Sequence, residues 1–217
     1  MSSVLATPRA TAPARGAPGP LTRLIALLLF MASAPLWLGA ALAIRRHGPG
    51  PVFFRQRRLG RDGRPFLIWK LRTMHTDAPA RLRRWLASDP AVRARWEAFG
   101  CLDDDPRICG RAGRFARHFS LDELPQLLNV MAGEMALVGP RPLPEDLALA
   151  LPPAVRAWRE ALPPGMTGLW QVRRRSEVSL RQMLAYDRLY ARRRSRALDA
   201  RLLLATLPAV LGARGAV

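Results

Sequence analysis

Cysteine and histidine are scarce in this 217-residue chain, with two of the former and three of the latter. Two cysteines cannot build a disulfide framework, and Cys101 and Cys109 lack the second pair that a structural zinc site needs. His47, His75 and His118 lie far apart and no HExxH occurs, which excludes the common zinc-hydrolase pattern. Acids are scarce as well: 16 Asp and Glu stand against 35 Lys and Arg, a formal net charge of +19. Such an excess calls for an anionic partner, whether nucleic acid, anionic lipid or a phosphorylated substrate. Lys70 is the only lysine among those 35 cations, a skew that reads in part as coding bias beside the abundant Ala and Pro. No repeat of solenoid period occurs. What is present is apolar surface: 49% hydrophobic with 24% charged residues excludes a disordered or fibrous chain. The length suggests one domain, or one domain plus an anchor.

Residues 1–22 carry Pro8, Pro13, Pro18 and Pro20 among small residues and no acid, the composition of a flexible basic tail. Residues 23–47 contain an uncharged stretch from Leu24 to Ile44, 21 residues long. As a straight helix it reaches roughly 30 Å, about one hydrocarbon thickness. Three readings compete. A cleaved signal peptide would use Ala32-Ser33-Ala34, but Pro35 then follows the cut and the apolar run continues. A plain spanning helix has Pro35 in its middle and cations at both ends, Arg23 and Arg45-Arg46, which gives no preferred orientation. A helix broken at Pro35 that enters and leaves by one face suits both features, with Ser33 available to the freed backbone groups. This re-entrant anchor is the favoured reading.

Beyond a turn-rich exit at residues 47–51, the apolar runs Val52-Phe53-Phe54 and Phe66-Leu67-Ile68-Trp69 flank Gly60-Arg61-Asp62-Gly63 and predict a β-hairpin. Leu82, Trp85, Leu86, Val92 and Trp96 fall near helical spacing between arginines, and Asp89-Pro90 divides the stretch into two helices. This pair reads either as amphipathic helices in a membrane interface or as an ordinary surface pair. Residues 154–162, 178–196 and 198–211 continue the helical pattern. The fold class is mainly α with a small β-hairpin, an α+β domain over residues 48–217.

The densest chemical signal is Ser120-Leu121-Asp122-Glu123-Leu124-Pro125-Gln126-Leu127-Leu128-Asn129-Val130. Ser-x-x-Glu is a capping-box pattern in which Glu123 only serves backbone N–H groups. Pro125 complicates that reading by removing a helical hydrogen bond. Alternatively, paired carboxylates at a helix start, with Arg107, Arg111, Arg114 and Arg117 just before, suit a Mg²⁺–phosphate site. An aspartate there can also attack phosphorus to give an acyl phosphate. Pro140-Arg141-Pro142 presents a guanidinium on a stiff backbone; a solvated arginine in a rigid loop is the plain alternative. Pro163 to Gln171 is a Gly/Pro loop open to a structural turn or a nucleobase or sugar contact. Lys70-Leu71-Arg72-Thr73-Met74 follows the hairpin with the one compact ammonium.

Taken in order, these pieces resemble the bacterial sugar transferases, the monotopic phosphoglycosyl transferases that begin exopolysaccharide, O-antigen and related glycan assembly. The resemblance runs over residues 22–216. It is carried by Gly50 to Gln56, Lys70 to Met74, Asp105-Pro106-Arg107, Gly113-Arg114-Phe115, Ser120 to Asn129, Gly139 to Pro142, Pro164 to Val172 and Asp187. It implies transfer of a sugar 1-phosphate from a UDP-sugar to undecaprenyl phosphate, with Mg²⁺ and release of UMP, at the cytosolic face of the inner membrane. It further implies a covalent phosphosugar on Asp122, with Glu123 beside it and both carboxylates available to the metal. Lys70, Arg72, Arg114, Pro140, Arg141, Pro142, Thr167 and Gln171 are the expected substrate contacts. Three positions depart from the family pattern: Ala34 where Ser often precedes the anchor proline, Thr22 where an acid is usual, and Arg173-Arg174-Arg175 where Ser/Asn-Gly-Arg is common. A rival from another class is a membrane-tethered basic scaffold or nucleic-acid binder, an inactive relative. It draws on the arginine excess, but no helix-turn-helix, RNP or zinc-finger pattern accompanies it.

Overall fold

The computed structural model describes residues 18–47, 50–102, 104–173 and 178–212. The tail up to residue 17 and the Arg174-Arg175 departure lie outside the described residues. The apolar stretch forms two helices, α1 (Pro20–Ala32) and α2 (Ala34–Arg45), bent by 53° at their junction. Among the described residues no single helix is long and apolar enough to cross a membrane, whereas this bent pair is when taken together. The break falls at Ser33, two residues before the expected Pro35. Pro35 lies in the first turn of α2, where a missing N–H breaks no helical bond. The Ser33 hydroxyl donates to the Phe30 carbonyl at 3.1 Å, taking the role expected of it. Trp37 stacks on Phe30 across the bend at 5.2 Å between ring centroids.

The hairpin forms as expected, with β1 (Phe53–Leu59) antiparallel to β2 (Pro65–Leu71) in the register Phe54 opposite Lys70 and Arg58 opposite Phe66. Asp62 and Gly63 take positive φ at the tip, which the Asp-Gly pair tolerates. Next come α3 (Ala78–Ser88) and α4 (Pro90–Phe99), divided at Asp89, whose carboxylate accepts from the Ala91 and Val92 amides. Leu82, Trp85, Leu86, Val92 and Trp96 are half-buried while the arginines between them are mostly exposed, the amphipathic pattern read from sequence. Helix α5 (Gly110–His118) leads through a 3₁₀ stretch, Leu121–Gln126, into α6 (Leu127–Ala132). The chain continues as β3 (Ala136–Val138), α7 (Glu145–Leu149), α8 (Pro153–Glu160), β4 (Gly165–Thr167) and α9 (Leu169–Arg173). Helices α10 (Leu180–Arg193) and α11 (Arg196–Leu211) close the body.

One sheet escaped the sequence reading: β3 and β4 pair in parallel, Ala136 with Gly165 and Val138 with Thr167. Three-residue strands carry too little alternation to register as a pattern. At this pairing a Cβ on Gly165 would lie 2.0 Å from the Gly139 nitrogen, so the two backbones meet only because residue 165 has no side chain.

The bent helix pair is built into the core. Ala26 and Phe30 of α1 pack with Phe66, Ile68, Leu127, Val130 and Met135. Ile44 and Ala40 of α2 pack with Cys109, Ala112 and Ala116 of the α5 region and with Leu121. The opposite faces expose Leu24, Leu28, Met31, Leu36, Leu38 and Leu42. The faces turned to the protein mix small and large residues, whereas the outward faces carry large apolar ones. Asn129 stitches β2 to α6: its Oδ1 accepts from the Trp69 amide at 3.0 Å and its Nδ2 donates to the Leu67 carbonyl at 2.7 Å. An internal amide thus replaces the missing neighbour of a sheet edge and fixes Lys70 over the 3₁₀ stretch.

Candidate active site

The capping box, one of the two readings open at Ser120, does not form. Ser120 adopts a left-handed φ of 53° and its side chain caps no amide of the following turn. Pro125 favours the tighter 3₁₀ coil here, so the residues turn about three to a circle. Adjacent Asp122 and Glu123 consequently present their carboxylates to different surroundings.

Glu123 is the hub. Its Oε1 accepts from Lys70 Nζ at 2.7 Å and from Arg141 Nη2 at 2.5 Å, and its Oε2 accepts from Arg141 Nη1 at 3.2 Å. Burial alone would raise the Glu123 carboxyl, but the Arg141 and Lys70 cations outweigh it and hold the group well below the usual carboxylate range. Lys70 responds in the opposite sense. Burial, helped by repulsion from Arg141, lowers its ammonium below the ordinary value despite Glu123. Glu123 is therefore an anion fully engaged by two cations.

Asp122 is different. It is buried, and among the described residues no side chain or amide donates a hydrogen bond to its carboxylate. Burial raises its pKa, the neighbouring Glu123 adds to the rise, and Lys70, Arg117 and Arg141 oppose it. A desolvated carboxylate without hydrogen bonds keeps its lone pairs available for attack or for a cation. No cluster of three or more His, Cys, Asp or Glu occurs among the described residues, so any metal there draws most of its shell from elsewhere. Asp122, with Glu123 adjacent, fits a hard divalent cation that takes one or two carboxylates and completes its shell with water and phosphate oxygens.

Arg141 reaches Glu123 from a loop whose carbonyls are all held. Gly165 N–H donates to Pro140 O at 2.9 Å, Arg159 Nη2 to Arg141 O at 2.5 Å, and Arg58 Nη1 to Pro142 O at 2.8 Å. The Arg141 guanidinium also lies 5.9 Å from the centroid of the Trp170 ring. A cleft beside the loop is lined by Leu59, Gly60, Leu151, Arg156 and Leu162.

Of the sequence-predicted residues, the fold brings together Asp122, Glu123, Lys70, Pro140, Arg141 and Pro142. Arg72 is buried and supports the turn before β1, donating from Nε to Pro51 O at 2.6 Å. Arg114 is exposed on α5, and Arg117, one turn nearer, is the α5 cation that acts on Asp122. The Thr167 hydroxyl bonds Thr206 of α11 at 2.8 Å, and Gln171 Nε2 donates to Met166 O at 2.8 Å. Arg58 and Arg159, which donate to the Pro-Arg-Pro carbonyls, are the residues at the site that sequence reasoning missed. Among so many arginines nothing local marked them; only the long-range pairing of β1 and α8 with the Pro-Arg-Pro loop does.

Comparison with known proteins gives the family. The exopolysaccharide production protein ExoY of Sinorhizobium fredii is 38% identical over 192 residues, 88% of this chain and 84% of that one. The UDP-glucose:undecaprenyl-phosphate glucose-1-phosphate transferase of Caulobacter vibrioides is 42% identical over 196 residues, covering 86% of this chain and 66% of the relative. The undecaprenyl-phosphate galactose phosphotransferase of Salmonella typhimurium is 38% identical over 190 residues, 88% of this chain but 39% of that longer protein. Since the family described as bacterial sugar transferase also matches residues 21–213, nearly everything beyond the basic tail, the chain belongs to the bacterial sugar transferases.

Proposed function

We propose that this transferase moves a sugar 1-phosphate from a UDP-sugar to undecaprenyl phosphate, releasing UMP, as the first membrane step of exopolysaccharide or related glycan assembly. The names of the relatives support the reaction class, and the division of labour between Asp122 and Glu123 supports the chemistry. An Asp122 oxygen attacks the sugar-bearing phosphorus; the bond to the UMP oxygen breaks and UMP leaves with the electron pair. A phosphate oxygen of undecaprenyl phosphate then attacks the same phosphorus, restoring the Asp122 carboxylate and forming the lipid diphosphate. Asp122, with Glu123 adjacent, would hold Mg²⁺, which neutralises diphosphate charge when bound. Arg141 and Lys70, held by Glu123, keep positive charge beside the attacking carboxylate and favour charge developing on the transferring phosphoryl oxygens. The exposed apolar faces of α1 and α2 support a reaction carried out at the inner membrane, beside a lipid acceptor.

The carrying observation is the buried Asp122 carboxylate without a hydrogen-bond donor, next to a Glu123 saturated by cations. Full-length protein in detergent, given a panel of UDP-sugars, undecaprenyl phosphate and Mg²⁺, is expected to release UMP with at least one donor. Mass spectrometry should find a phosphosugar on Asp122 when acceptor is omitted, and Asp122→Asn should abolish both signals. Near-normal turnover by Asp122→Asn refutes the nucleophile. Salt-dependent nucleic-acid binding without UMP release from any donor supports the scaffold reading instead.

A further inference from the structure

Proline has no N–H, so Pro140-Arg141-Pro142 offers one backbone donor against three carbonyls. Such a segment cannot hold its place by ordinary ladder bonding and needs donors from elsewhere. Each carbonyl receives one from a different element: the Gly165 amide of β4, Arg159 of α8 and Arg58 of β1. Arg159 is itself fixed by Asp187 of α10, with Nη2 at 2.8 Å and Nε at 3.2 Å from Oδ2. That ion pair is nearly closed to solvent, with side chains 9% and 2% exposed. Arg58 is steadied by Gln56, whose Oε1 accepts from Nη2 at 2.6 Å. Two further guanidinium groups next to Arg141 are costly, since like charges repel, and Arg58 is pushed down to about 10 by burial and by Arg141. A purely structural loop has no need of two buried cations to hold carbonyls that water or an amide could serve.

We propose that Arg58, Arg159 and Asp187 are positioning residues for sugar-phosphate transfer: they pin the loop backbone so that Arg141 meets Glu123 in one geometry. The inference rests on the transferase reading above and concerns how its site is held. The terminal nitrogens of Arg58 serve Pro142 O and Gln56, and Arg159 serves Arg141 O and Asp187, so that both hold the loop backbone while the Arg141 guanidinium engages Glu123.

The test uses the full chain in detergent. Removing Arg159 alone leaves a buried Asp187 unpaired, which can unfold the protein, so the informative variant replaces the whole pair, Arg159→Met with Asp187→Leu. Its melting temperature should stay near wild type, while amide exchange in a peptide covering residues 136–143 rises. UMP release per folded molecule should fall roughly 100-fold, the scale of a 1 Å misplacement. Arg159→Lys with Asp187 intact should recover part of that loss. In an Arg141→Gln background the same pair replacement should cost nothing more, since it acts through Arg141. Equal losses in both backgrounds mark a merely structural role and overturn the proposal. Unchanged loop exchange overturns it as well. Because exchange is read without substrate, a wild type that releases no UMP refutes the transferase reading separately.

Discussion

Adjacent carboxylates usually respond alike to neutralisation, but Asp122 and Glu123 should respond with opposite sign. Asp122→Asn removes a buried charge to which no described residue donates a hydrogen bond. Burial penalises the charged carboxylate more than a neutral amide of the same shape, and each unit of pKa shift is about 1.4 kcal/mol. Attraction from Lys70, Arg117 and Arg141 offsets part of that, and the raised carboxyl pKa shows burial winning. The variant should therefore gain about 1 kcal/mol, or roughly 2–4 °C in melting temperature for a chain of this size. Glu123→Gln does the reverse. It strips the anion from Lys70 and Arg141, whose side chains are only 16% and 27% exposed. Breaking such a pair costs about 3 kcal/mol, at the lower end because the group keeps some solvent, and lowers melting by roughly 6–12 °C. Glu123 titrates lower in the folded than in the unfolded chain, so its contribution is present above its unfolded pKa. It is lost as acid carries the pH down through the folded value, and the deficit of Glu123→Gln should shrink there. Differential scanning fluorimetry in detergent at pH 7 reads both variants. If both shift melting in the same direction, the assignment of Glu123 as cation hub and Asp122 as the unsatisfied partner is wrong.

Other outcomes follow from the same contacts. Burial pushes the Asp187 carboxyl up to about 6, against the pull of Arg159. The folded chain therefore holds a proton that the unfolded chain has released, and stability falls as pH rises from about 4 to 6, by at most about 1.4 kcal/mol per unit. Subtracting the denaturant-unfolding curve of Asp187→Asn should isolate that slope; a difference that grows more favourable with pH refutes it. Arg141→Lys loses the two-pronged contact with Glu123, and UMP release should drop roughly 100-fold with little change in melting. Gly165→Ala drives a methyl into the Gly139 backbone and should prevent folding, whereas Gly39→Ala in α2, with nothing within 4 Å, should stabilise by about 0.5–1 kcal/mol. Chelation of divalent ions by EDTA should stop UMP release, and Mg²⁺ should restore it; undiminished release in EDTA removes the metal from the reaction.

Much of this molecule was legible because its signals are local. Gly60 to Gly63 between apolar runs marks the hairpin, Asp89-Pro90 marks a cap, and a proline in an uncharged stretch marks the bend. Lys70 stood out only by being the one lysine, and it lies at the centre of the site. The break itself came at Ser33 because a proline is tolerated within the first turn of a helix, so the discontinuity precedes it. The capping box that Ser120 to Glu123 also spells does not form, since Pro125 selects a tighter coil in which the Ser120 side chain no longer caps. Arg58 and Arg159 could not be seen at all. Their partners lie 84 and 18 residues away, and an arginine that holds a carbonyl is written like one that faces water.

The packing of the bent helices against the catalytic body has a consequence for how the enzyme can exist. Deleting α1 and α2 would not release a soluble catalyst. It would uncover Phe66, Ile68, Leu127 and Val130 together, and with them the floor beneath Asp122 and Glu123. The same two helices that turn large apolar side chains outward also bury the underside of the hairpin and α6, so truncation cannot remove one property without the other.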